Sequence, residues 1–135
     1  MTELHLTTPI HTVIDELFAE WPPDPLALGL CLLRMGEAAP IFRAELERAA
    51  DGLCASEGEA DRLFLGLHVL GGGRDTLSFQ PLLRLLRRPE EELDRLLGDA
   101  VTMTLPRLVA GTFDSDAEAF RDFLKGFCIG RFPRV

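Results

Sequence analysis

The 135-residue sequence has no tyrosine, a single tryptophan, one lysine and three cysteines. The scarcity of cysteine removes a class of reading. Cys31, Cys54 and Cys128 are odd in number, widely spaced, and neither form a CxxC pair nor alternate with histidine. Reduced thiols are therefore expected, not a zinc site or a disulfide framework. The longest nearly unbroken apolar run, Leu26 to Leu33, falls far short of the roughly 20 residues a membrane span requires. The N-terminal MTELHLTTPI lacks a basic leader followed by an apolar stretch, so no export signal is read there. The expectation is a cytoplasmic chain that does not associate with membranes. No P-loop, no GxGxxG after a strand, no GxSxG and no HExxH occurs, which removes the recognisable nucleotide, hydrolase and zinc-protease motifs. The chain is read as a non-enzyme without cofactor or metal.

Basic residues are scarce in one half. Residues 1–60 carry eleven acids and three bases, a net charge of −8, whereas residues 61–135 carry eleven of each. Nucleic acid is disfavoured as a partner, because its affinity comes largely from Lys and Arg on phosphates. If a charged partner meets the acidic half, a basic one is expected, as in an accessory protein that masks a basic partner. Thirteen of the fourteen basic residues are arginine, which with the Ala- and Leu-rich composition fits a GC-rich bacterial genome.

What is abundant is helical. Hydrophobic residues make up 47% and charged residues 27%, ordinary for a globular chain with room for one continuous core. Residues 1–135 are therefore read as a single all-helical domain. Ile10, Val13, Ile14, Leu17 and Phe18 form one apolar stripe, with Thr8 as its cap, Pro9 at its first position and Trp21-Pro22-Pro23 as its stop. Asp24-Pro25 restarts the chain into Leu26–Met35, apolar on nearly every face and so expected to be a central buried helix. Gly36 is expected to end it, before an amphipathic segment from Ile41 to Leu53 with Gly52 at its C-terminal end. Ser56-Glu57-Gly58-Glu59 is a capping box opening Ala60–Leu70, which Gly71-Gly72-Gly73 ends. Asp75 or Ser78 caps Phe79–Arg87, and a short helix, Glu90–Leu97, follows Pro89. Val101–Phe113 comes next, and a second capping box at Ser115–Glu118 opens Ala119–Phe127. About eight short helices joined by brief turns predict an all-α, HEAT-like α-solenoid of helical hairpins, repeat-like from about 60 to 127; the alternative is an irregular orthogonal helical bundle. FQPLLRLL around Pro81 and TLPRLVAG around Pro106 echo each other.

The stretch from Leu63 to Asp114 carries two blocks, LHVL–GRDT–F–PLLRLLRRPEEELDRLLGD and TLPRLVAGTFDSD. Over roughly 50 residues these resemble the bacterial domain-of-unknown-function family 1186, whose members are read as HEAT-like helical repeats. The resemblance implies a fold and no established activity, so no catalytic residue is carried over. Family members continue into further helices after TFDSD, whereas here Phe127 to Val135 follows without a polar capping helix. Either a longer protein is cut there, or the tail folds back on the last helix, or another chain covers the end. The last is the expectation taken for the aromatic-rich end of Phe123, Phe127 and Phe132, which would meet a protein partner or a second copy.

Four constellations are candidates for binding or chemistry. His11 and Asp15 lie four apart on the first helix, with His5 nearby, but a metal site needs a third ligand. His68 sits in an almost wholly apolar helix, where a hydrogen-bonded core imidazole is commoner than a base. Gly71-Gly72-Gly73-Arg74 reads either as a tight inter-helix turn or as an anion site on backbone N–H groups assisted by Arg74. Arg84, Arg87 and Arg88 form a basic ridge that either docks a carboxylate-rich partner or pairs locally with Glu91, Glu92 and Asp94. The leading functional expectation is a non-catalytic scaffold or adaptor for protein–protein interaction, using the arginine ridge and the phenylalanine end. The alternative is a small-molecule- or metal-binding regulatory domain, or an unrecognised enzyme, centred on His68 and Arg74.

Overall fold

The computed structural model describes residues 4–19, 22–54, 56–98 and 104–131, the last five through their backbone alone. Among these residues lie eight α-helices, one short 3-10 turn at Thr76–Ser78 and no strand. The helices are α1 (Ile10–Leu17), α2 (Pro25–Leu33), α3 (Met35–Ala50), α4 (Glu57–Gly72), α5 (Phe79–Leu86), α6 (Glu90–Leu97), α7 (Leu105–Thr112) and α8 (Ala117–Arg131). The all-α expectation is met. Trp21, the expected helix start at Val101 and Phe132 lie outside the described residues.

Sequence-local chemistry explains most boundaries. Asp24 accepts from the Leu26 N–H at 2.9 Å, and Ser56 accepts from the Glu59 N–H at 3.1 Å. Each satisfies an orphan donor that the first helical turn leaves behind. Two expected caps are reassigned. Thr8 does not cap α1; its hydroxyl accepts from the His5 N–H, and Pro9 occupies the cap position without a side-chain bond. Asp116, not Ser115, caps α8 by accepting from the Ala119 N–H at 3.0 Å, while Ser115 turns the chain with φ +73°.

The expected break at Gly36 falls instead at Arg34, where α2 and α3 meet at 102°. Arg34 ties this corner by bonding Glu37 at 2.7 Å and the Thr8 carbonyl. Gly36 and Pro40 both lie inside α3 and both face solvent, so the carbonyl that Pro40 leaves without an N–H partner can bond water. No single helix among the described residues is long and apolar enough to cross a membrane.

The central helix is α4, not α2. One hydrophobic cluster runs from Leu4 to Phe123, and α4 packs within it against α2, α3, α6 and α7. Small residues make this crowding feasible. A Cβ at Gly66 would stand 2.8 Å from the Phe42 ring, and Phe42 is fully buried. In α2 only Ala27, Leu30 and Cys31 are buried, leaving Leu26 and Leu33 outside. An apolar circumference declares no inner face, and here neighbours cover one side only.

A polar cluster joins α3 to the turn before α5. The Arg43 guanidinium forks onto Asp75 at 2.9 and 2.8 Å, with the two side chains only 21% and 11% exposed. The Asp75 carboxylate also accepts from the wholly buried Ser78 hydroxyl. Neither Asp75 nor Ser78 makes the side-chain cap expected of one of them, and Asp75 instead ties this turn to α3. Burial raises the Asp75 pKa, but the Arg43 and Ser78 bonds and the Arg43 charge outweigh it, leaving the group below its ordinary 3.8. A lowered folded-state pKa adds stability that is fully present above 3.8 and is lost as pH falls through the folded value. Arg43→Met is expected to cost about 2–3 kcal/mol at neutral pH by stranding a largely buried carboxylate. Urea denaturation at pH 7 and pH 3 checks this, since the gap between wild type and variant should narrow in acid. An equal gap at both values would show that Arg43 acts through packing alone.

Candidate functional site

The last two turns of α4 and the body of α7 cross at glycines. A Cβ on Gly111 would lie 2.3 Å from the Gly71 carbonyl oxygen, and one on Gly71 would lie 3.2 Å from Leu108 Cδ2. Backbone thus meets backbone, and a cleft of about 490 Å³ opens along the crossing. His68 of α4, Arg74 just past its end and Arg107 of α7 line it. His68 is half-buried, edge-on to the Phe64 ring at 4.8 Å. Its pKa is lowered by burial and, secondarily, by the Arg107 charge, which favours the neutral imidazole. Neither Arg74 nor Arg107 makes an ion pair among the described residues.

The ends of α3 and α4 share one backbone design. The Leu53 N–H bonds the Arg48 carbonyl while the Gly52 N–H bonds Ala49; the Asp75 N–H bonds Leu70 while the Arg74 N–H bonds Gly71. This doubly bonded ending needs a left-handed residue, usually glycine. Gly52 fills it with φ +80° at the end of α3, but at the end of α4 Arg74 does so with φ +57°. The neighbouring glycines serve other purposes. Gly71 and Gly72 belong to α4, and the Gly73 N–H bonds the Val69 carbonyl, so these N–H groups do not form the anion cradle read from the sequence. Gly71 permits the α7 crossing, while a Cβ on Gly73 would collide with Met35 Sδ at 2.6 Å.

A smaller cleft of about 200 Å³ lies between α3 and α4, lined by Glu45, Arg48, Cys54, Glu59 and Arg62. Its charges are mutually engaged, Arg62 with Glu45 at 2.8 Å and Arg48 with Glu59 at 3.7 Å. One Glu45 oxygen is buried without a hydrogen-bond partner. The Cys54 thiol is pushed above its ordinary range, first by burial, which makes it a weak nucleophile.

The other sequence candidates are dispersed. His11 and Asp15 are both exposed on α1, and no group of three metal-capable side chains converges among the described residues. The arginine ridge is largely occupied. Arg84 reaches Asp51 at 3.1 Å rather than an acid of α6, Arg88 bonds Glu92 at 3.0 Å, and Arg87 is exposed. Phe123 is buried and serves the core rather than an open surface. The side chain of Phe127 and all of Phe132 lie outside the described residues. Sequence reasoning singled out His68 and Arg74, which share the α4–α7 cleft, but missed Arg107 and Gly111. The signal available for those two was the TLPRLVAG echo, which places an arginine and a glycine on one short helix.

No protein-family model matches the sequence, and neither a curated protein nor a solved structure matches it.

Proposed function

We propose that the chain is a non-catalytic helical scaffold whose protein partner presents a basic, leucine-bearing helix to α2. The outer face of α2 carries this reading. Leu26 and Leu33, 53% and 75% exposed, stand seven residues apart, with Leu32 beside Leu33. Residues at i and i+7 share a helix face, and paired apolar anchors at that spacing are how one helix recognises another. Charge selects the partner. Residues 1–60 hold the whole net charge of −8, and Asp15, Glu16 and Glu47 have no ion pair among the described residues. A second copy of the chain would bring acid to acid, which disfavours association.

The resemblance to family 1186 and the packing of α3 on both α4 and α5 support a HEAT-like array. The hub position of α4, which touches four other helices, supports the irregular bundle, since each layer of an open solenoid meets only its neighbours. We read the architecture as a short hairpin array wrapped around α4. Ligand binding at His68 with Arg74 is a second reading, supported by their common cleft.

Titration of the full chain with a synthetic amphipathic Leu/Lys helix, followed by calorimetry at low and high salt, tests the partner. Binding should weaken with salt and fall roughly tenfold or more in Leu26→Gln/Leu33→Gln, because each leucine buried at an interface contributes about 1.5–3 kcal/mol. Thermal stability should hardly change, since both side chains face solvent. Two results would remove this reading: peptide binding indifferent to the double substitution, or a dimer that the substitution dissolves.

A further inference from the structure

The geometry points to an oxyanion-binding site in the α4–α7 cleft, where Arg74 and Arg107 clamp a phosphate or carboxylate group and His68 supplies a further hydrogen bond. Three placements that cost the free protein converge there. Arg74 holds the left-handed position that glycine fills at the end of α3, although a side chain there strains the backbone. Arg107 sits in the first turn of α7, where the helix dipole opposes a cation. His68 is half-buried beside that cation. Conformational and electrostatic costs gathered at one cleft mark binding sites, where strain is held in place by the surrounding fold. Both guanidiniums lack an ion pair among the described residues, although the chain as a whole is strongly acidic.

An oxyanion with two or more acceptor oxygens answers this set. Each guanidinium presents a planar fork of donors that matches a carboxylate or phosphate, and neutral His68 retains one N–H donor. The cleft, at about 490 Å³, has the size of small-metabolite sites. Leu108 and the glycine crossing give it an apolar floor for the remainder of an organic ligand. This site is independent of the α2 surface, so either assignment stands if the other fails.

The test titrates the full-length chain with inorganic phosphate, glycerol phosphate and succinate at constant ionic strength, read by calorimetry and by the His68 ring resonances. Saturable binding of at least one probe at millimolar concentration is expected, and its identity separates phosphate from carboxylate recognition. Arg74→Gln and Arg107→Gln should each weaken it by roughly 10- to 100-fold, the range for one charge-assisted contact. Arg121→Gln, on α8, should leave it unchanged.

Arg74→Gly separates a ligand-binding role from a structural one. It should raise the melting temperature of the free protein by roughly 2–5 °C, as relief of left-handed strain predicts, while still weakening binding. The proposal is overturned if no probe saturates, if Arg121→Gln weakens binding as much as the cleft variants do, or if Arg74→Gly lowers stability and leaves binding intact.

Discussion

Gly111→Ala is expected to destabilise the protein by about 3 kcal/mol or more, lowering the melting temperature by roughly 10 °C. The added methyl would sit 2.3 Å from the Gly71 carbonyl oxygen and 2.9 Å from its carbon. Both atoms are backbone within α4, so no rotamer change relieves the clash and the helices must separate. Separation also loosens Leu108, which packs on Gly71 across the same crossing. Gly29→Ala is the contrasting case. A Cβ there meets nothing within 4 Å and the residue lies inside α2, so about 0.5–1 kcal/mol of stabilisation is expected from the reduced backbone entropy of the unfolded chain. Chemical denaturation of both variants tests the pair together. A loss below about 1 kcal/mol for Gly111→Ala would mean that α4 and α7 do not approach as closely as described.

Helix existence was readable because it is written locally. The Asp24 and Ser56 caps, the stripe at Ile10, Val13, Ile14 and Leu17, and the stop at Gly52 all act within a few residues. Depth was not readable from composition. The Leu26–Leu33 run looks like a core helix, yet only its neighbours decide which side is covered, and Leu33 ends up three-quarters exposed. Conversely, α4 opens on four charged residues and carries four glycines but occupies the centre, because Gly66 and Gly71 let Phe42 and α7 come close. The boundary at Gly36 failed for a related reason, since a glycine or a proline on the solvent side of a helix need not break it. The cleft was half legible. His68 and Arg74 lie on one helix and its C-terminal turn, whereas Arg107 joins them from α7, thirty-three residues beyond Arg74. Only tertiary packing makes that connection, and the unusual backbone of Arg74 has no signature in composition.

Phe79→Ala is expected to cost about 3–5 kcal/mol, because a fully buried aromatic leaves both a transfer loss and a cavity. Phe79 opens α5 with no exposed surface and holds Phe113 edge-on at 5.2 Å and Phe120 at 6.1 Å. Phe113 and Phe120 also meet each other at 6.0 Å, closing a triangle of rings. Phe113 precedes α8 and Phe120 lies in its first turns, so the triangle is where α8 docks on the rest of the molecule. Such pairs contribute about 0.5–1.5 kcal/mol each beyond the area they bury. Each ring takes part in two of these pairs, but Phe113 is 38% exposed, so Phe113→Ala leaves less of a cavity and should cost roughly half as much as Phe79→Ala. The distinctive consequence is regional. In Phe79→Ala, backbone amides of 117–126 should exchange with solvent at a lower free energy than those of α4, which keeps its own contacts with α3 and α7. Hydrogen exchange read alongside urea denaturation makes the distinction. If α8 and α4 lose protection in equal measure, the ring triangle is a part of the general core and not the latch that holds the C-terminal helix.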